Sequence, residues 1–294
     1  MLTDLAAWLA TQAGLRFAVG AGLAAVIAAG AWASRALSAG GALGAVLVGT
    51  LVFGGGGPIW AVLLILFFLT SSAASRWHAD LKAAPAARFA KGSRRDLGQV
   101  LANGAVPAVL AMLALRFPEA ALFAAFAGAL AAATADTWAT EIGLLSDSPP
   151  ALITTGEPVP RGTSGGVTVV GTLAAVAGAA LIGGVAAALF GVRELLEVGV
   201  VDVRLIDWSA LRLLPIVAAS GLASTVVDST LGATLQATYR AHGASPGAVT
   251  ERARDADGRP NALVRGWRWL NNDAVNLVAT GIGAAMAWLL YAGL

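Results

Sequence analysis

The sequence contains no cysteine, only two histidines and few charged residues. Without cysteine, the chain has no disulfide bond, zinc–thiolate site or cysteine nucleophile. His78 and His242 each stand alone in a polar segment, where a solvated side chain is the ordinary outcome, so neither is a strong candidate for a catalytic base. Charged residues make up 12% of the chain, against roughly 25% in soluble domains. The formal net charge of +2 is too small to indicate a nucleic-acid partner.

Apolar residues make up 57% of the chain, and the mean hydropathy is +0.76. They lie in long runs, which suit membrane-spanning helices of roughly 15–25 residues. The sequence therefore predicts an all-α, polytopic membrane helical bundle with about seven or eight transmembrane helices. The predicted spans are residues 14–34, 41–55, 58–74, 98–116, 119–141, 166–190, 213–237 and 273–293. Only Gly54–Pro58 separates the second span from the third, so one broken or re-entrant element is the alternative there.

We expect residues 1–294 to form a single transmembrane domain, because no loop is apolar enough to build a core of its own. Fourteen of the nineteen Lys and Arg residues fall on one side of the predicted bundle. By the positive-inside rule, the loops near 75–97, 142–165 and 239–272 face the cytoplasm, and the protein is a multi-pass protein of the cell (inner) membrane. Tryptophan is enriched at membrane–water interfaces, and the positions of the tryptophans agree with this orientation. We expect Trp32, Trp77, Trp267 and Trp269 at the inner interface and Trp8, Trp60, Trp208 and Trp288 at the outer interface.

Three carboxylates inside apolar spans are the first candidates for a functional site: Asp136 and Glu141 in the fifth span, and Asp228 in the seventh. Burying an unpaired carboxylate in a membrane costs about 2.5–3.5 kcal/mol even on the lenient insertion scale. We interpret all three as catalytic and metal-ligating residues, with structural pairing to arginine as the alternative. Asp136 and Glu141 lie about 140° apart on an ideal helix, so they share a site only if the helix is distorted or each faces a different neighbour.

The glycine-rich loop Gly162–Gly166 precedes the sixth span. The first backbone N–H groups of a helix have no partner within the helix, so a loop that opens one is a ready anion cradle. The loop lacks the lysine of a P-loop, and it lacks the preceding strand and the histidine that a hydrolase nucleophile elbow requires. We predict that its backbone and hydroxyl groups bind phosphate through Gly162, Thr163, Ser164 and Gly165.

Polar residues at four-residue spacing place further side chains at the same depth in the membrane. Such stripes occur in the fourth, seventh and last spans. In the seventh span, Ser220, Ser224 and Gly232 are also ordinary small-residue packing devices. The remaining candidates for substrate or phosphate binding are Arg94, Arg95, Gln99, Asn103, Thr137, Arg161, Gln236, Asn272 and Asn276.

Five sequence blocks together resemble one family. They are Arg94–Gly104, Ala135–Gly143 (Ala-Asp-Thr-Trp-Ala-Thr-Glu-Ile-Gly), Gly162–Gly166, Asp228–Gln236 and Asn272–Asn276. They are similar to the integral-membrane family of unknown-function domain 92, which includes animal transmembrane protein 19 and the plant phytyl-phosphate kinase. The resemblance implies a membrane-embedded kinase that transfers a phosphoryl group from a nucleoside triphosphate to an isoprenoid (phytyl or prenyl) monophosphate, giving the diphosphate.

The chemistry of phosphoryl transfer agrees with these residues, because it relies on positioning and on charge neutralisation, usually by Mg²⁺ held by carboxylates. We expect Asp136, Glu141 and Asp228 to hold Mg²⁺, with CTP or another nucleoside triphosphate as co-substrate. The apolar tail of the substrate is expected between spans, among the membrane lipids. Two alternatives remain open: a transporter or scramblase of a phosphorylated lipid, and a lipid-phosphate cytidylyltransferase.

Overall fold

The computed structural model describes residues 2–86, 88–193, 206–240, 249–255 and 257–293. Within these residues the helices are α1 (Leu2–Ala33), α2 (Ala39–Gly56), α3 (Pro58–Arg76), α4 (Ala79–Ala86), α5 (Leu97–Ala114), α6 (Ala120–Gly143), α7 (Val169–Gly191), α8 (Leu213–Thr234) and α9 (Asn272–Ala292). A 3-10 turn, Trp208–Arg212, leads into α8. All but α4 are long and apolar enough to cross a membrane, which gives eight candidate spans. The prediction of a polytopic helical bundle is confirmed.

The junction at Gly57 separates α2 from α3. Gly57 has φ +85°, a left-handed conformation that glycine adopts at little cost. Pro58 follows at the first position of α3, where its missing N–H leaves no hydrogen bond unmade. The second and third predicted spans are therefore two separate helices, each of membrane-spanning length.

The central helix of the bundle is α6, whose residues Phe123–Ala135 are all buried. It packs against α3, α5, α7, α8 and α9. Small residues make these contacts possible: a Cβ on Gly128 would overlap the backbone of Gly283 in α9, and one on Gly221 in α8 would press on Ala131. In a lipid bilayer the hydrophobic effect does not drive helices together. Helices therefore commonly associate through small residues such as glycine and alanine, which allow close approach.

Trp60 was expected at the outer membrane interface, and this prediction is wrong. Its side chain is buried in the core, with its ring 5.4 Å from that of Phe123 and 4.6 Å from that of Phe126. Trp60 is buried because its ring packs against Phe123 and Phe126 of α6. Trp32, Trp77, Trp208, Trp267, Trp269 and Trp288 are exposed. His242 and the side chain of Trp8 lie outside the described residues.

The long polar loops contact one another at one end of the bundle. Two short antiparallel pairs order them: β1 (Ala151–Leu152) with β2 (Gly166–Val167), and β3 (Thr238–Arg240) with β4 (Ala262–Arg265). The N–H of Glu251 donates to the carbonyl of Arg88, which joins the loop after α8 to the loop before α5. This looped end of the bundle carries the candidate site.

Candidate functional site

A cavity of about 560 Å³ lies at the looped end of the bundle, between α5, α6, α7, α8 and α9. Its wall includes nearly all of the predicted site residues, namely Arg95, Gln99, Asn103, Asp136, Thr137, Glu141, Arg161, Gly162, Thr163, Ser164, Gly165, Asp228, Gln236, Asn272 and Asn276. Arg94 lies outside this wall, and its Nε donates to the carbonyl of Leu37 at 3.1 Å. The tertiary structure thus brings together predicted residues from four helices and three loops.

Two aspartates from different helices form the centre of the site. The carboxyl group of Asp136 on α6 lies next to that of Asp228 on α8, and both residues line the cavity. Both side chains lie roughly 10 Å inside the looped end of their helices, at a rise of 1.5 Å per residue. Oδ2 of Asp228 is buried and has no hydrogen-bond partner among the described residues. An acid pair with an unpartnered oxygen is a suitable place for a cation, which would relieve the repulsion between the two carboxylates.

Glu141 faces a different neighbour from Asp136. One of its oxygens, Oε2, is 2.6 Å from Nζ of Lys82, a buried side chain on α4. The same ammonium group donates to the carbonyls of Ala74 and Ser75 at the end of α3, at 2.8 and 3.0 Å. The alternative of structural pairing therefore describes Glu141, with lysine rather than arginine as its partner.

The described residues contain no group of three or more His, Cys, Asp or Glu side chains that could hold a metal ion. The three acids predicted as metal ligands, Asp136, Glu141 and Asp228, do not form one ligand group, because Glu141 pairs with Lys82. Two carboxylates remain together, and Mg²⁺ is commonly bound by one or two carboxylates plus water and substrate phosphates. The pair of Asp136 and Asp228 fits such an ion.

Glu251 is a site residue that sequence reasoning missed. It is half-buried near the acid pair, and its Oε1 accepts from Oγ of Ser164 at 2.9 Å and from Nε2 of Gln236 at 2.8 Å. Its Oε2 accepts from the N–H of Ala90 at 3.2 Å. Burial raises the pKa of the Glu251 carboxyl, although these hydrogen bonds partly oppose the shift. Glu251 thus links three separate segments around the site, through hydrogen bonds with Ala90, Ser164 and Gln236.

Lys91 is a second missed residue, and it lines the cavity from the loop between α4 and α5. Its ammonium group bonds Asp96 and Asp273, the latter at the start of α9. Burial opposes the charge on Lys91, but the two carboxylates outweigh it and raise the pKa of this side chain. Gly98 leaves room for the pair, because a Cβ there would collide with the Asp273 carboxylate. Neither Lys91 nor Glu251 lies in an apolar span, so the hydropathy pattern could not identify either of them as a site residue.

The glycine-rich loop does not open the next helix directly, and this expectation is wrong. Residues Gly166–Val167 form β2, and α7 begins at Val169 with Thr168 as its N-cap. Thr168 Oγ1 accepts from the N–H of Gly171 at 2.9 Å, so a side chain already satisfies one N–H group of the first turn. The loop is instead a tight turn, with Gly162 and Gly165 at φ +79° and +80°. It remains in the cavity wall, held against Ala233 of α8.

The polar residues at four-residue spacing differ in what they do: some line the cavity, and others only stabilise helices or helix packing. Gln99 forms a capping box with Asp96 at the start of α5, and Asn103 donates to the Gln99 carbonyl at 3.2 Å. Ser220 and Ser224 are fully buried, and Ser224 bonds the carbonyl of Ala279 on α9. Their packing interpretation is confirmed, because neither lines the cavity.

Comparison with known proteins gives consistent similarities along most of the chain. The family model "Integral membrane protein DUF92" matches residues 22–284. Protein PGR of Arabidopsis thaliana is 34% identical over 228 residues, which cover 73% of this chain and 77% of the relative. A membrane protein of Methanocaldococcus jannaschii is 32% identical over 258 residues, covering 88% and 87%. The chloroplastic protein VTE6 of Arabidopsis thaliana is 26% identical over 262 residues, covering 86% and 65%. No solved structure matches the chain.

Proposed function

Because this chain belongs to the integral membrane protein DUF92 family, we propose that it is a membrane-embedded kinase acting on an isoprenoid monophosphate. The reaction transfers a phosphoryl group from a nucleoside triphosphate, CTP or another, to phytyl or prenyl monophosphate and gives the diphosphate. The family resemblance of the sequence blocks implies this reaction. The contact between Asp136 and Asp228 inside a cavity of about 560 Å³ is the observation that carries the proposal.

The composition of the cavity wall supports phosphoryl transfer. Arg95, Lys91 and Arg161 line the same cavity as the acid pair, so cationic side chains are available near a bound phosphate. Hydroxyl and amide donors come from the turn at Gly162–Gly166 and from asparagines on α5 and α9. Positioned donors and charges are the main requirement of this chemistry, which needs no covalent nucleophile from the protein.

Asp136 and Asp228 would hold Mg²⁺, and such an ion neutralises charge on the phosphate oxygens when bound. The other residues have separate roles. Arg95 and Arg161 bind phosphate oxygens, and the turn at Gly162–Gly166 orients the phosphate that is transferred. Glu251 positions this turn through Ser164. Glu141 holds Lys82 and the end of α3 rather than the ion.

The looped end faces the cytoplasm in this proposal, because fourteen of the nineteen Lys and Arg residues lie on that side. A cytoplasmic opening gives access to a soluble nucleotide. The membrane is the cell (inner) membrane, and the substrate reaches the site from the bilayer.

The test is an assay of purified protein in detergent with geranylgeranyl or phytyl monophosphate and each of the four nucleoside triphosphates. We expect a product that is heavier by one phosphoryl group, identified by mass spectrometry. A product that is heavier by one nucleoside monophosphate group would instead identify a cytidylyltransferase-type reaction. No product with any combination, together with lipid movement in proteoliposomes, would identify a transporter or scramblase.

A further inference from the structure

The cavity continues beyond its polar groups into an apolar gap between α7 and α8. Its wall there includes the apolar residues Ala175 and Val176 on α7 and Leu222 and Val226 on α8, together with Thr172 and Thr225. Val176 and Val226 are also 41% and 56% exposed on the outside of the bundle. A side chain that both lines a cavity and faces outward marks a place where that cavity reaches the surface. Both helices are candidate membrane spans, so the surface at this place faces lipid.

The gap stands at the same depth as the acid pair. Val176 lies roughly 10 Å from the start of α7, and Val226 lies roughly 12 Å from the end of α8, at a rise of 1.5 Å per residue. Asp136 and Asp228 are roughly 10 Å inside the same end of the bundle. The gap therefore opens sideways from the acid pair and not above it.

We infer that the gap between α7 and α8 is a lateral entrance, occupied by the hydrocarbon chain of a lipid monophosphate whose phosphate lies in the polar part of the cavity, which Arg95 and Arg161 line together with Asp136 and Asp228. The inference rests on the proposed function for the identity of the headgroup. A molecule that joins a phosphate to a long apolar chain needs a polar pocket that is open to lipid on one side. The four apolar residues of the gap contact the first part of the chain, and the remainder extends into the bilayer.

The two substrates then approach from different directions. The chain enters from lipid past Val176 and Val226, and the nucleotide enters from the looped end, where Lys91 and Arg161 line the cavity. Burial stabilises an apolar chain by about 0.8 kcal/mol per CH₂ group. Because only the first isoprene units contact protein, affinity depends on those units and little on total chain length.

Photo-cross-linking tests the entrance directly. The probe is geranylgeranyl monophosphate with a diazirine on its second isoprene unit, added to the full chain in lipid nanodiscs without nucleotide. We expect labelled peptides to map to residues 172–176 and 222–226. Labelling concentrated on α1 or α2, where Val26 and Leu43 are also exposed to lipid, would overturn the inference.

This readout separates the entrance from the kinase assignment, because labelling needs no turnover. Labelling of α7 and α8 in a protein that forms no diphosphate supports the entrance and rejects the kinase. Diphosphate formation with labelling elsewhere supports the kinase and rejects the entrance.

Tryptophan substitutions provide a second, independent measurement. Val176→Trp and Val226→Trp fill the gap, so binding of geranylgeranyl monophosphate should weaken by about tenfold, the effect of losing contact with roughly two CH₂ groups. Dimethylallyl monophosphate carries only one isoprene unit, so its binding should weaken less in both variants than the binding of geranylgeranyl monophosphate. Leu173→Trp is the matched control, since Leu173 is 63% exposed on α7 but outside the cavity wall. Equal weakening in all three variants, or in none, would contradict the entrance.

Discussion

Asp136 on α6 and Asp228 on α8 bring their carboxyl groups into contact inside the cavity. Like charges repel strongly where water is scarce, so this pair destabilises the fold if both groups are ionised. Ionisable residues placed inside a membrane protein at such a cost usually mark a functional site. The proposed chemistry therefore concentrates on these two side chains.

We expect Asp136→Asn and Asp228→Asn each to lower kinase turnover by at least about 100-fold, the scale of losing one positioned charged group. Each change also removes the repulsion within the pair, so the Tm of the detergent-solubilised protein should stay the same or rise. Product formation and thermal unfolding, measured on the same preparation, check both statements. Thr230→Val, on the exposed face of α8, is the control that should keep full activity. Full turnover in Asp136→Asn would remove this residue from the mechanism.

Divalent metal should be required for activity and should stabilise the folded protein. We expect product formation to stop in excess chelator and to return when Mg²⁺ is restored. Mg²⁺ at 100 times its Kd should stabilise the original protein by about 2.7 kcal/mol, seen as a rise in Tm. Asp228→Asn should lose this rise. Undiminished product formation in chelator would contradict the metal site.

Glu251 should make stability depend on pH in a defined direction. Burial raises the pKa of this carboxyl above its ordinary value of 4.5, so the folded protein binds a proton that the unfolded chain releases. Its contribution to stability is complete below pH 4.5 and is lost as pH rises through the raised pKa. Thermal unfolding of the original protein and of Glu251→Gln, compared across this pH range, measures the effect. We expect the Tm of Glu251→Gln relative to the original protein to increase with pH. A constant difference would show that Glu251 does not titrate there.

The ion pair between Lys82 and Glu141 should contribute to stability. Removing one partner leaves a buried charge unpaired, so Lys82→Met and Glu141→Gln should each destabilise the protein by about 3 kcal/mol or more. The double variant should recover much of this loss, and unfolding measurements on all four proteins test it. Asp207→Asn breaks the pair with Arg193, whose side chains are each 28% exposed, and should cost less than about 1 kcal/mol. Additive losses in the double variant would argue against the pairing.

Gly165→Ala should distort the turn at Gly162–Gly166. A side chain at φ +80° costs about 1–2 kcal/mol, and here the new Cβ would also overlap Ala233. Gly156→Ala is the control, since Gly156 has a similar φ of +74° with open space around it. We expect both variants to lose stability but only Gly165→Ala to lose turnover, because only its turn lines the site. Equal turnover in the two variants would place the turn outside the mechanism.

Local composition was sufficient to predict most of the architecture. Long apolar runs without charge leave a helix as the simplest way to satisfy backbone hydrogen bonds in lipid, so eight spans could be located. The family resemblance is also confirmed, because the blocks that carry it are short and contiguous. The same local reasoning placed Trp60 at the interface, although packing against Phe123 and Phe126 buries it.

The partners of the charged residues could not be predicted in the same way. Helical spacing indicated that Asp136 and Glu141 diverge, but not that Glu141 meets Lys82 while Asp136 meets Asp228. Glu251 gave no sequence signal, since its burial depends on loops that are distant in the chain and meet only after the helices have packed.

By itself, the sequence determined that the protein is a helical membrane bundle, which family it belongs to, and which polar residues lie at membrane depth. The reason is that hydropathy, helical spacing and motif identity are properties of short stretches of chain. Only the tertiary structure decided which of those residues form an acid pair, which carboxylate is paired with a lysine in a structural role, and where the cavity meets lipid. These outcomes depend on contacts between α6, α7 and α8, and contacts between distant segments exist only once the helices are packed together.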